Sequence, residues 1–135
     1  MESNKRYFFG STQKLKSRTL IQQLFTEGKQ ISEFPLKAIW MPSTENHPLQ
    51  TGVSVSKRYF KKAVDRNKIK RLIREAYRLQ KNALEDHLVG GNQQIALFLI
   101  YTGKERPSYQ QISDCCGVII KKLVKSIHAK PQANL

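Results

Sequence analysis

Residues 57–81 read KRYFKKAVDRNKIKRLIREAYRLQK, and this stretch decides how the rest of the chain is arranged. Eleven of its 25 residues are Lys or Arg and only Asp65 and Glu75 are acidic, so +9 of the chain's +14 is concentrated here. At about 100° per residue the helical wheel from Arg66 onward separates into two stripes. Ile69, Leu72, Ile73, Ala76 and Leu79 form an apolar stripe suited to a core. Asn67, Lys70, Arg71, Arg74, Arg78 and Lys81 form an opposing stripe that is almost purely cationic. A charged helix face is most often simply solvated. Such faces ordinarily mix signs, because Glu/Lys pairs four apart stabilise a helix by about 0.2–0.5 kcal/mol each. Here Arg66, Lys70, Arg74 and Arg78 repeat one sign at every fourth position, and each like-charge step costs a similar amount. The first turn, where the macrodipole favours acids, sets Asp65 beside Arg66 and Lys68. A helix built against its own electrostatics points to an external polyanion, and the expectation is nucleic-acid binding through this face.

The whole chain narrows the choice. Its 135 residues suffice for one domain with a core that needs no disulfide or metal staple. We expect a single nucleic-acid-binding domain over 1–135, with a basic arm at 1–16 carrying Tyr7, Phe8 and Phe9, and a tail frayed over 129–135. No apolar run approaches the length of a membrane-spanning helix, and the longest, Ile95–Tyr101, is strand-sized. The opening MESNKRYFFGSTQKLK lacks the apolar segment of a secretory signal. Adjacent Cys115 and Cys116 make neither a disulfide framework nor a metal site. A cytoplasmic protein with no membrane partner and no required oligomer is the simplest expectation.

Around the basic stretch the elements fall in order. Ser17 as N-cap and Gly28 as C′ residue bracket a helix whose apolar positions are Leu20, Ile21, Leu24 and Phe25. Lys29–Ser32 and Leu36–Met41 read as strands, the second with Leu36, Ala38 and Trp40 on one face and Lys37 and Ile39 on the other. Ser43–Pro48 is a polar loop. Gln50–Ser56 alternates, with Val53 and Val55 inward and Ser54 and Ser56 opposite. Asn82–Gly91 reads as a turn on its Gly90–Gly91 pair. Ile95–Tyr101, apolar throughout, is a strand covered on both faces. Ser108 caps a last helix with Ile112, Cys115, Cys116, Ile119, Ile120, Leu123, Val124 and Ile127 inward. The order α-β-β-β-α-β-α predicts an α/β (α+β) two-layer sandwich of helices on a mixed four-stranded sheet.

The run GVSVSKRYFKKAVDRNKIKRLIREAYR, residues 52–78, resembles the signature region of the bacterial ribonuclease P protein component. In that family a strand ending Ser-Val-Ser-Lys leads into a helix opening Arg-Asn-Arg-x-Lys-Arg-x-x-Arg; here those helix positions are Arg66, Asn67, Lys68, Ile69, Lys70, Arg71 and Arg74. Lys68 stands where the family has Arg, which keeps the charge and loses the bidentate fork. The loop Lys57–Lys62 lacks the family's glycine and carries Tyr59 and Phe60. The resemblance covers roughly residues 14–128. It implies a left-handed crossover between the third and fourth strands, although general rules favour a right-handed one. It also implies a protein subunit that binds the catalytic ribonuclease P RNA and precursor tRNA, and so assists endonucleolytic removal of the tRNA 5′ leader. Arg66, Asn67, Lys68, Lys70, Arg71, Arg74 and Arg78 would contact the catalytic RNA. Ile21, Phe25, Ile39, Ser54, Lys57 and Arg58 would line a cleft for the leader. Mg²⁺ would sit mainly on RNA phosphates.

The residues themselves offer no competing chemistry. His47, His87 and His128 show no spacing that gathers them, and the ten acids form no D-x-D or E-x-x-H cluster. A binding subunit with no catalytic residue of its own is expected. Two other classes share the basic helix: a structural RNA-binding protein of the ribosomal kind, and a helix-turn-helix DNA reader. Strands flanking the helix argue against the second.

Overall fold

The computed structural model describes residues 14–15, 17–43 and 48–133, with 128–133 by backbone alone. The described residues form helices α1 (Arg18–Glu27), α2 (Ala63–Gln80), α3 (Asn82–Gly90) and α4 (Tyr109–Ala133). They also form strands β1 (Lys29–Glu33), β2 (Leu36–Pro42), β3 (Leu49–Val55) and β4 (Ile95–Tyr101). Strand order in the sheet is β1-β2-β4-β3. Strand β2 runs antiparallel to both β1 and β4, whereas β3 runs parallel to β4, so the sheet is mixed as expected.

Alternation along β4 divides the interior. Ile95, Leu97, Leu99 and Tyr101 point into the main core, with Leu36, Ala38 and Trp40 of β2 and the buried faces of α2, α3 and α4. Ala96 and Phe98 point the other way, where Ile39, Leu15 and Leu24 of α1 close a smaller core. Strand β4 is therefore apolar throughout because both of its faces are covered. Among the described residues α1 is the one helix on the second face. Ser17 caps it as predicted, its Oγ accepting the Leu20 N–H at 3.2 Å. Gly28 ends the helix for a reason other than left-handed backbone, since its φ is −69°. A Cβ there would lie 2.5 Å from Ile39 Cγ2, so glycine lets the turn press onto β2.

Three local readings change. The segment 82–91 is not merely a turn: Asn82–Gly90 is helical and drives Leu84 and Leu88 into the main core. Those two leucines have helical i, i+4 spacing, and the Gly90–Gly91 pair ends that helix instead of replacing it. The buried stripe of α2 is rotated, with Tyr77 inside, Leu72 half-buried and Leu79 exposed. Helix α4 runs to Ala133, past the predicted start of the tail. The aromatics expected to dock from residues 7–9, and His47, lie outside the described residues. Cys115 and Cys116 are buried, and burial pushes the Cys116 thiol up to about 12.

A polar tie fixes α2 on the sheet. The Tyr77 hydroxyl and Thr51 Oγ1 lie 2.5 Å apart in a buried hydrogen bond between α2 and β3. Burial raises the Tyr77 phenol well above its usual range, so it stays neutral and available to share that proton. Tyr77→Phe removes one partner and strands the other, and should cost about 1–2 kcal/mol in denaturant unfolding.

Candidate nucleic-acid interface

Helix α2 begins after a loop held by its own arginine. Arg66 Nη1 donates to the carbonyls of Phe60 and Lys61, each at 2.8 Å, which pins the loop against the first turn. Asp65, the first-turn acid, pairs with Arg106 from the loop between β4 and α4. These contacts place the start of the helix and divert part of Arg66 from any partner outside.

The cationic stripe divides into used and unused members. Arg78 is bound to Glu75 on its own helix, with Nη2 to Oε2 at 2.7 Å. That bond holds the Glu75 carboxyl below its usual range. Lys81, expected on the outer stripe, is only 1% exposed and pairs instead with Glu85 of α3 at 3.0 Å. The chain bends into α3 at this residue and folds the side chain inward, so neighbouring positions on a straight-helix wheel part company. Asn67, Lys68, Arg71 and Arg74 are exposed and Lys70 is half-buried. Among the described residues no acid pairs with Lys68, Lys70, Arg71 or Arg74. Asn67, Lys70, Arg71 and Arg74 fall within an arc of about 100° on the wheel. This ridge of like charge costs the isolated fold and suits a chain of phosphates, to which an Arg fork binds bidentately.

The α1 face of the sheet makes a second surface. Phe25 is 52% exposed and meets Phe98 edge to face, with ring centroids 5.4 Å apart. Ile21 is half-buried beside it. Ile39, expected to line this cleft, is only 2% exposed and lies against α1. It supports the floor and offers no surface to a ligand. Ser54 is half-buried at the register position of Ile100, and Lys57 and Arg58 are exposed on the loop beyond it.

Two residues that matter here escaped the sequence reading. Phe98 is the partner of Phe25, and Gly52 lies beside it in register. A Cβ on Gly52 would stand 2.5 Å from the Phe98 ring, so glycine leaves the room that ring occupies. Alternation along β4 put Phe98 opposite Leu97 and Leu99, but only strand pairing shows what it meets. Lys14 and Leu15 lie along the β3 edge, the Leu15 N–H donating to the Thr51 carbonyl at 2.9 Å. The seven-residue loop from Ser56 to Lys62 joins this face to the ridge. Among the described residues no group of three or more His, Cys, Asp or Glu is placed to hold a metal ion. None of their helices is long and apolar enough to cross a membrane.

Comparison with known proteins agrees with this architecture. Residues 9–124 match the ribonuclease P family. A ribonuclease P protein component of Porphyromonas gingivalis is 32% identical over 114 residues, covering 83% of each chain. One of Chlorobaculum tepidum is 33% identical over 98 residues, covering 66% of this chain and 64% of the other. Among solved structures, the Staphylococcus aureus RNase P protein superposes with a TM-score of 0.67 at 22% identity, over 82% of this chain and 94% of that one. The Thermotoga maritima RNase P protein gives 0.65 at 21% identity, over 81% and 96%.

Proposed function

The chain belongs to the ribonuclease P protein family, and from that premise we propose that it binds the catalytic RNA through the α2 ridge and the 5′ leader of precursor tRNA through the α1 face. The observation that carries this reading is the set of cations that pair with no acid among the described residues, Lys68, Lys70, Arg71 and Arg74, beside a half-exposed Phe25 on a separate face. Each phosphate met by the ridge releases condensed counterions, so affinity falls with salt. Asn67 hydrogen-bonds sugar or phosphate oxygens. On the second surface Phe25 stacks on a leader base while Lys57 and Arg58 meet its backbone, with Ser54 leaving room for the sugar-phosphate chain. Ile21 adds apolar contact in place of a second stacking ring. Holding the leader favours precursor over mature tRNA.

In this reading the RNA carries out the endonucleolytic cleavage, in the cytoplasm, and Mg²⁺ rests mainly on its phosphates. The chain's part in this reading is to bind, orient and neutralise.

Phe25→Ala tests the leader surface. The ring is half-exposed, so the change should cost little stability, while a stacked base is worth roughly 1–3 kcal/mol. Affinity for precursor tRNA with a long leader should fall fivefold or more, and affinity for mature tRNA should hold. Equal losses for both substrates would remove the leader role.

A further inference from the structure

The β1–β2 turn and the carboxyl ends of β3 and β4 meet at one end of the sheet, where Leu36 and Val55 both lie at the register of Tyr101. Two aromatic side chains stand out there. Phe34 is 75% exposed and Tyr59 is 39% exposed. Lys104 is shared between them: its Nζ lies 5.7 Å from the centre of the Tyr59 ring, and with Phe34 it lines a pocket of about 310 Å³. Thr102, Arg106 and Gln111 complete much of that lining.

The frame of this pocket is fastened, while the Phe34 ring stands out from it. The Pro35 carbonyl accepts the Thr102 N–H at 2.8 Å and its hydroxyl at 3.0 Å. Cys115 Sγ donates to the Phe34 carbonyl at 3.4 Å, and the Tyr101 hydroxyl donates to the Glu105 carbonyl. Arg106 is engaged by Asp65. Phe34 is thus displayed on a held turn, and no acid among the described residues pairs with Lys104.

We propose that this pocket takes an unpaired nucleobase of single-stranded RNA on Phe34, with the adjoining phosphate on Lys104 and a neighbouring base on Tyr59. Aromatic platforms with a cation between them suit a strand whose bases stack while its backbone is neutralised. Lys57, Arg58, Lys61 and Lys62 nearby select a polyanion over an apolar or basic peptide. Arg58 and Lys104 both rest over Tyr59, at 5.5 and 5.7 Å. Such exposed cation–π contacts are worth about two- to fivefold in an equilibrium. A stacked base is worth roughly fivefold to over a hundredfold, so the cations yield the ring and move to phosphates. The site draws on neither Phe25 nor the α2 ridge, and it borders the leader surface at Lys57 and Arg58. It rests on the RNA-binding reading above and adds a third surface to it.

The experiment is photocrosslinking of the full chain to a single-stranded RNA carrying 4-thiouridine, with adducts mapped by mass spectrometry. Adducts are expected at Phe34 or Tyr59, and Phe34→Ala, Tyr59→Ala and Lys104→Gln should each weaken binding of that RNA at least threefold at unchanged melting temperature. Adducts confined to other peptides, or three variants that bind as wild type does, overturn the proposal. So does a concentration-dependent dimer abolished by Phe34→Ala, which gives the pocket to a second copy. Stimulation of precursor cleavage, measured alongside, separates the two readings. Stimulation without these adducts defeats this site alone, whereas adducts without stimulation defeat the ribonuclease P role and leave the site standing.

Discussion

Replacing Arg71 and Arg74 together by Gln is expected to lower affinity for ribonuclease P RNA about a hundredfold at moderate salt. Each removes a charge-assisted phosphate contact worth about 1.5 kcal/mol at the low end of the usual range. The logarithmic salt dependence should flatten by nearly two units, since each phosphate contact contributes about 0.9 on duplex-like RNA. Stability should barely move, because both side chains are exposed and neither has an acid partner among the described residues. Removing the like-charge repulsion of neighbours four apart even favours the isolated helix slightly. The comparison that gives this result meaning is Arg78→Gln, which alters the same net charge. Arg78 is held by Glu75, and its loss frees that carboxylate on the same helix, so its effect on RNA affinity should be smaller than that of Arg71→Gln alone. Titrations at several salt concentrations decide it. Equal effects at all three positions would mean that bulk charge, not the ridge, drives association.

The largest effect on the fold itself is expected at Lys81. Its ammonium is enclosed and faces Glu85 at 3.0 Å, between α2 and α3. Lys81→Ala leaves that carboxylate, itself four-fifths enclosed, without its cation, and empties the volume of the lysine stem. Removing one partner of a buried pair costs about 3 kcal/mol or somewhat more, which lowers the melting temperature by about 10 °C in a domain of this size. The double change Lys81→Met with Glu85→Leu fills the space without either charge and should recover most of the loss. Differential scanning calorimetry of the three proteins measures both effects. A single variant as stable as wild type would show that the pair contributes nothing.

How far the sequence foretold this depended on how local each determinant was. The Ser17 and Ser108 caps and the alternation in β2 and β3 depend on neighbours in the chain, and each appears where the pattern put it, while the apolar stripe of α2 is present but rotated toward Tyr77. Lys81 did not, because its direction follows from the bend into α3, and a wheel extended through Gln80 assumes a straight helix. Ile39 was placed on the correct face of β2. Its burial depended on how closely α1 descends, which Gly28 controls where that helix ends against β2. Phe98 became part of the second surface only through pairing of β4 with β3. Arg66 and Arg78 carried the expected charge. What reduced their share was contact with the Phe60 and Lys61 carbonyls and with Glu75, and charge counting treats all cations on a stripe alike. The outward face thus keeps its sign and narrows to a few residues.

The most direct measurement is cleavage of precursor tRNA by ribonuclease P RNA at an Mg²⁺ concentration too low for the RNA alone. Adding the wild-type chain should restore formation of the mature 5′ end, and the Arg71→Gln, Arg74→Gln protein should require far higher concentrations to do so. Failure of the wild-type chain to restore cleavage, or full restoration by the double variant at the same concentration, would contradict the account.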